Sequence, residues 1–447
     1  MTSAADAAAQ YNSLLEADPA AALEQAQALR QALRDGGVTF GGEPMASFLR
    51  PHFVSRADWN RLRDDSRRVL ELAARVARRA FAGDASRLCS HLGFREPQAR
   101  WVRLDVGEPD VVLSRVDAFL TPDGPRFIEI NSDATAGLGY GDRMAEIFER
   151  LPVFQRFAER VRVSYVRSGP RVVEAFLSLW RGQGRTGTPR VAIVDFRDVR
   201  TRPDQQILAE EFTRAGVAAV LADPREMELS GDRLICSGEA VDIVYRRTVL
   251  SELMAEPAVV RDFLRAYEER RAIFVNTFRC QLSEDKAFFA LLADESFADL
   301  LDDDERALVA RVIPWTRRVE ERRTQRGGVE VDLVPWILGH RRDLVLKPTH
   351  AYGGQSVFVG AETPPGDWET AVGEALKGAW VVQERVPIPE EVFPVFEGGA
   401  LDFESLKVNT NPFYVGGAAV GAVTRVSRSS VINVSNGGGS APTFVID

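Results

Sequence analysis

Cysteine and histidine are scarce in this chain of 447 residues, which has three of the first and four of the second. Cys89, Cys236 and Cys280 lie far apart in sequence, so there is no Cys-x-x-Cys pair and no zinc spacing. A sparse, odd count also fits a reducing compartment. His52, His91, His340 and His350 form neither His-x-His nor His-x-x-x-His. A metal centre built on imidazole is therefore not expected, and any metal should be a hard ion held by oxygen, namely Mg²⁺. Long apolar runs are missing too, and no stretch is long enough to cross a bilayer. The opening MTSAADAAAQYNSLLEADP lacks the basic start and apolar run of a secretory leader. The expectation is a cytoplasmic protein with no membrane partner. Positive charge is not in excess, since the net charge is −9. That speaks against a nucleic-acid partner, which would want a basic face, but a few local lysines can still bind a small anion.

What is present reads as an ordinary globular α+β chain, with 45% hydrophobic and 27% charged residues and a length that suggests two or three domains. Residues 1–95 read as an N-terminal helical segment, with Ala- and Leu-spaced helices over about Asp6–Arg34 and Ala57–Phe81. Over residues 100–131 the period changes. WVRLDV (101–106), VVLSRVDAFL and RFIEIN read as strands, and Thr121-Pro-Asp-Gly124 folds the last two into a hairpin. A glycine-rich loop, Ala134–Gly141, precedes a helix from about Asp142 to Arg150. Residues 166–278 alternate strand and helix, which implies a parallel α/β unit. Residues 279–447 hold a helix near Ser283–Leu292, strands at 343–348, 357–360 and 379–386, a helix over Trp368–Leu376, and a β-rich C-terminal stretch that includes Ser430–Asn436.

Three clusters carry chemistry. The first is Leu344-Val-Leu-Lys347-Pro followed by the loop Thr349–Ser356, which contains Gly353, Gly354 and Gln355. Glycines let backbone N–H groups approach phosphate oxygens, and the lysine supplies a point charge. The same segment also reads as a plain hairpin with a Gly-Gly turn. Further on, Trp380-Val-Val-Gln383-Glu384-Arg385-Val386 is a buried strand that runs into polar residues, suited to an adenine edge or a ribose. Upstream, Ser283-Glu-Asp-Lys286 places a lysine near a helix start. The second cluster is Arg115-Val-Asp117, turn, Glu129-Ile-Asn131. Alternation puts Arg115 with Asp117, and Glu129 with Asn131, on one face of the hairpin, while Val116, Phe127, Ile128 and Ile130 face the core. Adjacent carboxylates repel unless a cation lies between them, which fits Mg²⁺ bridging phosphates. The third cluster is Thr424-Arg425-Val-Ser-Arg428 with Asn433, Asn436 and glycines after it. Arg425 there could stabilise charge on a transferred phosphoryl group or a tetrahedral centre.

Taken together, these residues resemble the ATP-grasp family. In that family Asp and Glu-x-Asn metal ligands usually follow the arginine segment, whereas here they stand upstream as Asp117 and Glu129-Ile-Asn131. That order resembles a circularly permuted ATP-grasp, similar to the synthetase domain of glutathionylspermidine synthase and its bacterial relatives, over about residues 100–447. The resemblance implies an α+β fold: a permuted ATP-grasp with metal ligands in 96–165, an inserted α/β (pre-ATP-grasp-like) substrate domain at 166–278, and a nucleotide-binding part at 279–447. It implies ATP contacts from Lys286, Lys347, Gly353, Gly354, Gln355, Ser356, Gln383, Glu384, Val386 and Asn433, and Mg²⁺, as two ions, on Asp117, Glu129 and Asn131. Arg115 and Arg425 would be the catalytic arginines.

The implied reaction joins a small-molecule carboxylate to an amine through an acyl phosphate, releasing ADP and phosphate. Such chemistry rests on positioning and electrostatics, so the lack of a Ser-His-Asp or Cys-His set is consistent with it, and amide hydrolysis is not expected. A phosphotransferase or a non-catalytic nucleotide-binding protein are the rival readings. Asp195, Arg197, Arg200, Tyr245 and Arg246 at strand ends are candidates for the substrate cleft. The loop Ser132–Gly141 opens a helix, so its N–H groups could hold a carboxylate or could form only a tight turn. The acid, the amine and the oligomeric state stay open, a homodimer being one option.

Overall fold

The computed structural model describes residues 3–350, 356–432 and 438–447. Its largest sheet draws on both ends of the chain. The strand order is His52–Ser55, Gly439–Ile446, Ala418–Ser427, Ala400–Val415, Leu113–Thr121, Gly124–Asn131. All neighbours along it pair antiparallel except the first two strands, which pair parallel. Ala400–Val415 is long enough to serve two partners besides Ala418–Ser427: its first half pairs with Glu390–Glu397, its end with Leu113–Thr121. The amphipathic helix Arg56–Arg79 covers one face, where Trp59, Leu62, Val69 and Val76 pack with Val116, Ala118, Phe127 and Ile130. The other side of the hairpin 113–131 carries its polar residues, with Phe119 and Ile128 beside them.

A second antiparallel sheet has the order Thr316–Arg318, Trp380–Glu384, Leu344–Pro348, Phe358–Val359. Helices Leu333–Gly339 and Pro365–Ala375 back it, with Trp368 buried among Leu344, Leu346 and Val382. A third sheet is wholly parallel: Ile273–Val275, Ile243–Arg246, Val191–Val194, Ala219–Ala222. Three of its strands, Ile273–Val275, Ile243–Arg246 and Val191–Val194, are buried on both faces, as parallel strands between helices are, with Ile193 and Tyr245 in one core and Val194 and Val244 in another, while the edge strand Ala219–Ala222 is only partly buried. Asn276, the residue after Ile273–Val275, ties this sheet to the hairpin. Its Oδ1 accepts from the backbone N–H of Val112 and Leu113 at 2.7 and 2.9 Å, and its Nδ2 donates to the carbonyls of Leu113 and Ser132 at 2.6 Å each. Among the described residues no helix is long and apolar enough to cross a membrane.

Several sequence expectations change. The 6–34 helix is two helices, Ala4–Glu16 and Pro19–Asp35, because Asp18 caps the second and Pro19 can only begin a helix. The N-terminal segment is not all helical, since His52–Ser55 adds a strand to the main sheet. WVRLDV is not a strand: Gln98–Arg103 is helical, which lets Ala99 and Val102 bury one turn apart. The helix placed at Asp142 starts at Leu138. Residues 428–432 do not continue as a strand, and pairing resumes at Gly439.

Candidate active site

The hairpin register sets Arg115 opposite Asn131 and Asp117 opposite Glu129, so four polar side chains share one patch. The register then slips between Asp117 and Ala118, where one extra residue is accommodated opposite them. This bulge overturns the strict alternation read from sequence. Phe127 stays in the core, but Ile128 lines the cleft instead of facing inward.

Asp117 is the centre of the patch. Arg115 grips it with Nε to Oδ1 at 2.6 Å and Nη2 to Oδ2 at 3.3 Å, and Arg425 donates Nη1 to Oδ2 at 2.9 Å. Burial by itself would raise the Asp117 carboxyl, but the two guanidiniums overcome it and hold the group well below the usual carboxylate range. Arg425 reaches this point because its strand pairs Arg425 with Asn409, another residue lining the cleft.

The second sheet supplies the facing wall. Lys347, near the end of its strand, donates Nζ to Gln383 Oε1 at 2.8 Å, and Gln383 Nε2 donates to Thr316 Oγ1 at 3.0 Å. Burial, with Lys286 adding repulsion, lowers the Lys347 ammonium to about 8 despite Glu129 nearby. Lys286 opens the helix Lys286–Ala293, which Asp285 caps, and its Nζ lies 3.6 Å from Glu129 Oε2. Glu384 is held by Arg326 at 2.7 Å, and Arg126 approaches it at 3.6 Å from the opposite sheet. One cleft is thus lined by Arg115, Asp117, Glu129, Asn131 and Arg425 from one side and by Lys286, Lys347, Gln383, Glu384 and Val386 from the other. Val345, Val359 and Ile388 supply apolar lining near Val386.

Ser356 is exposed, with φ of 56°, and is not among the lining residues. Gly353, Gly354, Gln355 and Asn433 lie outside the described residues. The substrate-cleft candidates fare differently. Tyr245 is buried in an apolar core, and Arg246 is locked to Asp133 at 2.5 Å. Asp195 is buried and accepts from Gln205 Nε2 at 2.5 Å; burial raises its carboxyl to about 7 although that hydrogen bond and Arg247 pull it down. Arg197 is exposed and paired with Glu226, and Arg200 lies over the Phe40 ring. None of the five lines the cleft. The N–H groups of the 132–141 loop do hold a carboxylate, but it is the chain's own. Asp204 accepts from Gly137 at 3.0 Å, Gly139 at 2.9 Å and Tyr140 at 3.0 Å, and Arg247 neutralises it at 3.0 Å. Gly139 is needed there, since a Cβ would lie 2.7 Å from the Asp204 carbonyl oxygen.

Sequence reasoning passed over Gln281, Glu284, Asp285, His350, Asn409 and Phe94, all of which line the cleft. Glu284 and Asp285 were in view inside the Ser283–Lys286 segment, where only the lysine was weighed. Phe94 comes from the N-terminal segment and carries no polar signal.

The oxygen donors Glu129 and Asn131 face the cleft and suit a hard cation. Asn131 Nδ2 is buried without a hydrogen-bond partner, so the amide is not committed to the protein. Asp117 already serves two guanidiniums, and among the described residues no three His, Cys, Asp or Glu side chains form a metal cluster. The residues fit Mg²⁺ through Glu129 and Asn131 first, with Asp117 as the neighbour that fixes the arginines.

No family model matches the chain, and no curated protein matches it. Solved structures do. A glutathione synthetase-like effector from Globodera pallida, in its apo form, superposes with a TM-score of 0.62 at 12% identity, over 96% of this chain and 98% of that one. A candidate gamma-glutamylcysteine synthetase from Methylobacillus flagellatus aligns with a TM-score of 0.41 at 12% identity, over 80% and 82%. The first likeness shows that the mixed α/β fold is similar to a glutathione synthetase-like fold across nearly the whole chain.

Proposed function

We propose that this protein is an ATP-dependent ligase that joins a carboxylate to an amine, built as a circularly permuted ATP-grasp. One observation carries the reading: two lysines and two arginines from separate elements converge with Glu129 and Asn131 in a single cleft between two sheets. Lys286, Lys347, Arg115 and Arg425 are spaced to balance a polyphosphate, and the apolar lining around Val386 with the anchored Glu384 suits a nucleoside.

A substrate carboxylate oxygen would attack the γ-phosphorus, the bond from that phosphorus to the β–γ bridging oxygen would break, and ADP would leave. The amine nitrogen would then attack the acyl carbon, the bond from carbon to the phosphoryl-bearing oxygen would break, and phosphate would leave as the nitrogen loses a proton. Mg²⁺ on Glu129 and Asn131 would supply charge neutralisation between phosphates. Lys347 and Lys286 would orient the phosphates. Arg115 and Arg425, held by Asp117, would neutralise charge on the transferred group and on the tetrahedral centre. No side-chain nucleophile is required.

The test is ADP release by the purified protein against amino acids, small peptides and polyamines, with hydroxylamine trapping of the acyl phosphate. Trapped hydroxamate supports ligation, while ADP release without it points to a phosphotransferase. Glu129→Gln and Asp117→Asn should abolish turnover, and unchanged turnover in both would overturn the site assignment.

A further inference from the structure

The cleft holds two carboxylates that the nucleotide reading does not use, Glu284 and Asp285, and Asp285 is already paired with His350. Glu284 lines it beside Gln281, on the side reached by Arg115 and Lys286. Its Oε2 accepts from the backbone N–H of Ser132 at 2.6 Å and also from that of Asp133. Two peptide N–H groups on one carboxylate oxygen pin the side chain and aim the head group at the cleft. Among the described residues no Arg, Lys or His makes a salt bridge with Glu284. The neighbouring acids are each taken: Asp133 by Arg246 and Gln281, Asp285 by His350 at 2.8 Å, and Glu129 by Lys286. A carboxylate held in a part-buried cleft without a salt-bridge partner is costly unless a cation arrives.

On the ligase reading, one component of the cleft is otherwise unaccounted for. The arginines and lysines serve anions, the phosphates and the acid. An amine acceptor arrives as an ammonium, and Glu284 is the cleft acid with no salt bridge of its own, Lys286 and Arg115 acting on it without one. We propose that Glu284 is the recognition point for the acceptor's ammonium group, so that the acceptor is a cationic amine and not a hydroxyl or thiol compound. This inference rests on the ligase reading and names the acceptor class that the cleft selects. The surroundings agree with it: burial, with Asp133 adding repulsion, pushes the Glu284 carboxyl up to about 8, an environment that disfavours a lone negative charge and favours one paired with a bound cation. Gln281, whose Nε2 donates to Asp133 Oδ2 at 2.6 Å, keeps that second acid turned away from the cleft.

A purely structural role would be different. Glu284 would then only shape the turn after Asn131 through Ser132 and Asp133. Glu284→Gln separates the two, because a glutamine amide oxygen can still accept from both N–H groups while the negative charge is lost.

The experiment is a thermal-shift and calorimetric titration of the full chain in two arms. The first arm uses Mg²⁺ with a non-hydrolysable ATP analogue. The second, with that analogue bound, uses glycinamide, 1,3-diaminopropane and spermidine, each beside a hydroxyl counterpart such as glycolamide or 1,3-propanediol. The expected result is that at least one amine binds, its hydroxyl counterpart binds at least tenfold more weakly, and Glu284→Gln weakens the amine at least tenfold while leaving the analogue's shift in place. Glu284→Asp, which keeps the charge, should recover part of the amine affinity. If the analogue binds but no amine does, or the hydroxyl compounds bind as well, or Glu284→Gln binds amines as the parent does, the inference is overturned and the ligase reading stands. Loss of the analogue's shift in Glu284→Gln alone assigns the residue to the Asn131 turn and also overturns it. If the parent protein fails to bind the analogue, the ligase reading falls and takes this inference with it.

Discussion

Asp117 and Asp204 are both nearly inaccessible to water, at 2% and 0%, the first bonded to two guanidinium groups and the second to one. Around Asp204 the account closes. Three backbone N–H groups and Arg247 converge on its two oxygens, and the Gly137–Tyr140 turn has no donor left for a ligand among those that Asp204 takes. Around Asp117 it stays open. Arg115 and Arg425 share one carboxylate, while Glu129, Asn131 and Lys286 beside them face the cleft. A cluster of donors at a helix start is an anion site only if the chain does not fill it first. Here the helix-start cluster is filled by a residue more than sixty positions away, while the patch on the hairpin keeps spare charge for a ligand.

This contrast can be broken from either side. The largest effect should come from Asp204→Asn. Removing that charge leaves Arg247 buried and unpaired, and loss of a buried partner costs about 3–5 kcal/mol. Chemical denaturation should show the loss, while Mg-ATP affinity per folded molecule stays unchanged. A matching fall in nucleotide affinity would mean that the loop is part of the site after all. Arg425→Ala should act the other way, lowering turnover by about a hundredfold, as loss of one charge-stabilising donor does. Asp117 keeps Arg115, so the thermal midpoint should move far less than in Asp204→Asn.

A smaller effect follows from Lys347, whose ammonium burial lowers to about 8. The cation that would hold phosphate is lost as pH rises through that value, so Kd for Mg-ATP should weaken by up to about tenfold between pH 7 and pH 9. The same group makes the folded state bind fewer protons than the unfolded chain between about 8 and the ordinary lysine value, so its own contribution to stability rises with pH over that window. Calorimetry in buffers of matched ionic strength would reveal a flat profile if Lys347 does not meet the nucleotide. The smallest effect belongs to Lys377. The chain has only four lysines, Lys286, Lys347, Lys377 and Lys407, and two of them meet in the cleft. Lys377 is exposed, and Lys377→Ala should leave turnover unchanged and stability within about 0.5 kcal/mol.

How far the site could be read in advance depended on the range of each interaction. Arg115, Asp117, Glu129 and Asn131 were legible because a hairpin brings together residues within a span of seventeen, and strand alternation sorts their faces. Only the bulge that turns Ile128 toward the cleft escaped, since nothing in the local pattern marks an extra residue. Lys347 and Gln383 were legible as strand-end residues, although their mutual hydrogen bond was not. Glu284 went unweighed because its partners, Ser132 and Asp133, stand about 150 positions upstream. Tyr245 and Arg246 were misplaced for a related reason. Strand ends in an α/β unit often face ligand, but Asp133 already meets Arg246 there.

What the amino-acid order determined alone is local: the hairpin and its polar face, the parallel α/β run, the amphipathic helix Arg56–Arg79, and the absence of thiolate or imidazole metal spacing. Each follows from periodicity, turn chemistry or composition within a short window. The tertiary structure decided which charges are spent and which are left. Arg425 reaches Asp117 across 308 positions, Lys286 reaches Glu129 across 157, and Asp204 closes a loop that looked open. Charges act through space over a few ångströms, and only the folded chain says which of them are neighbours.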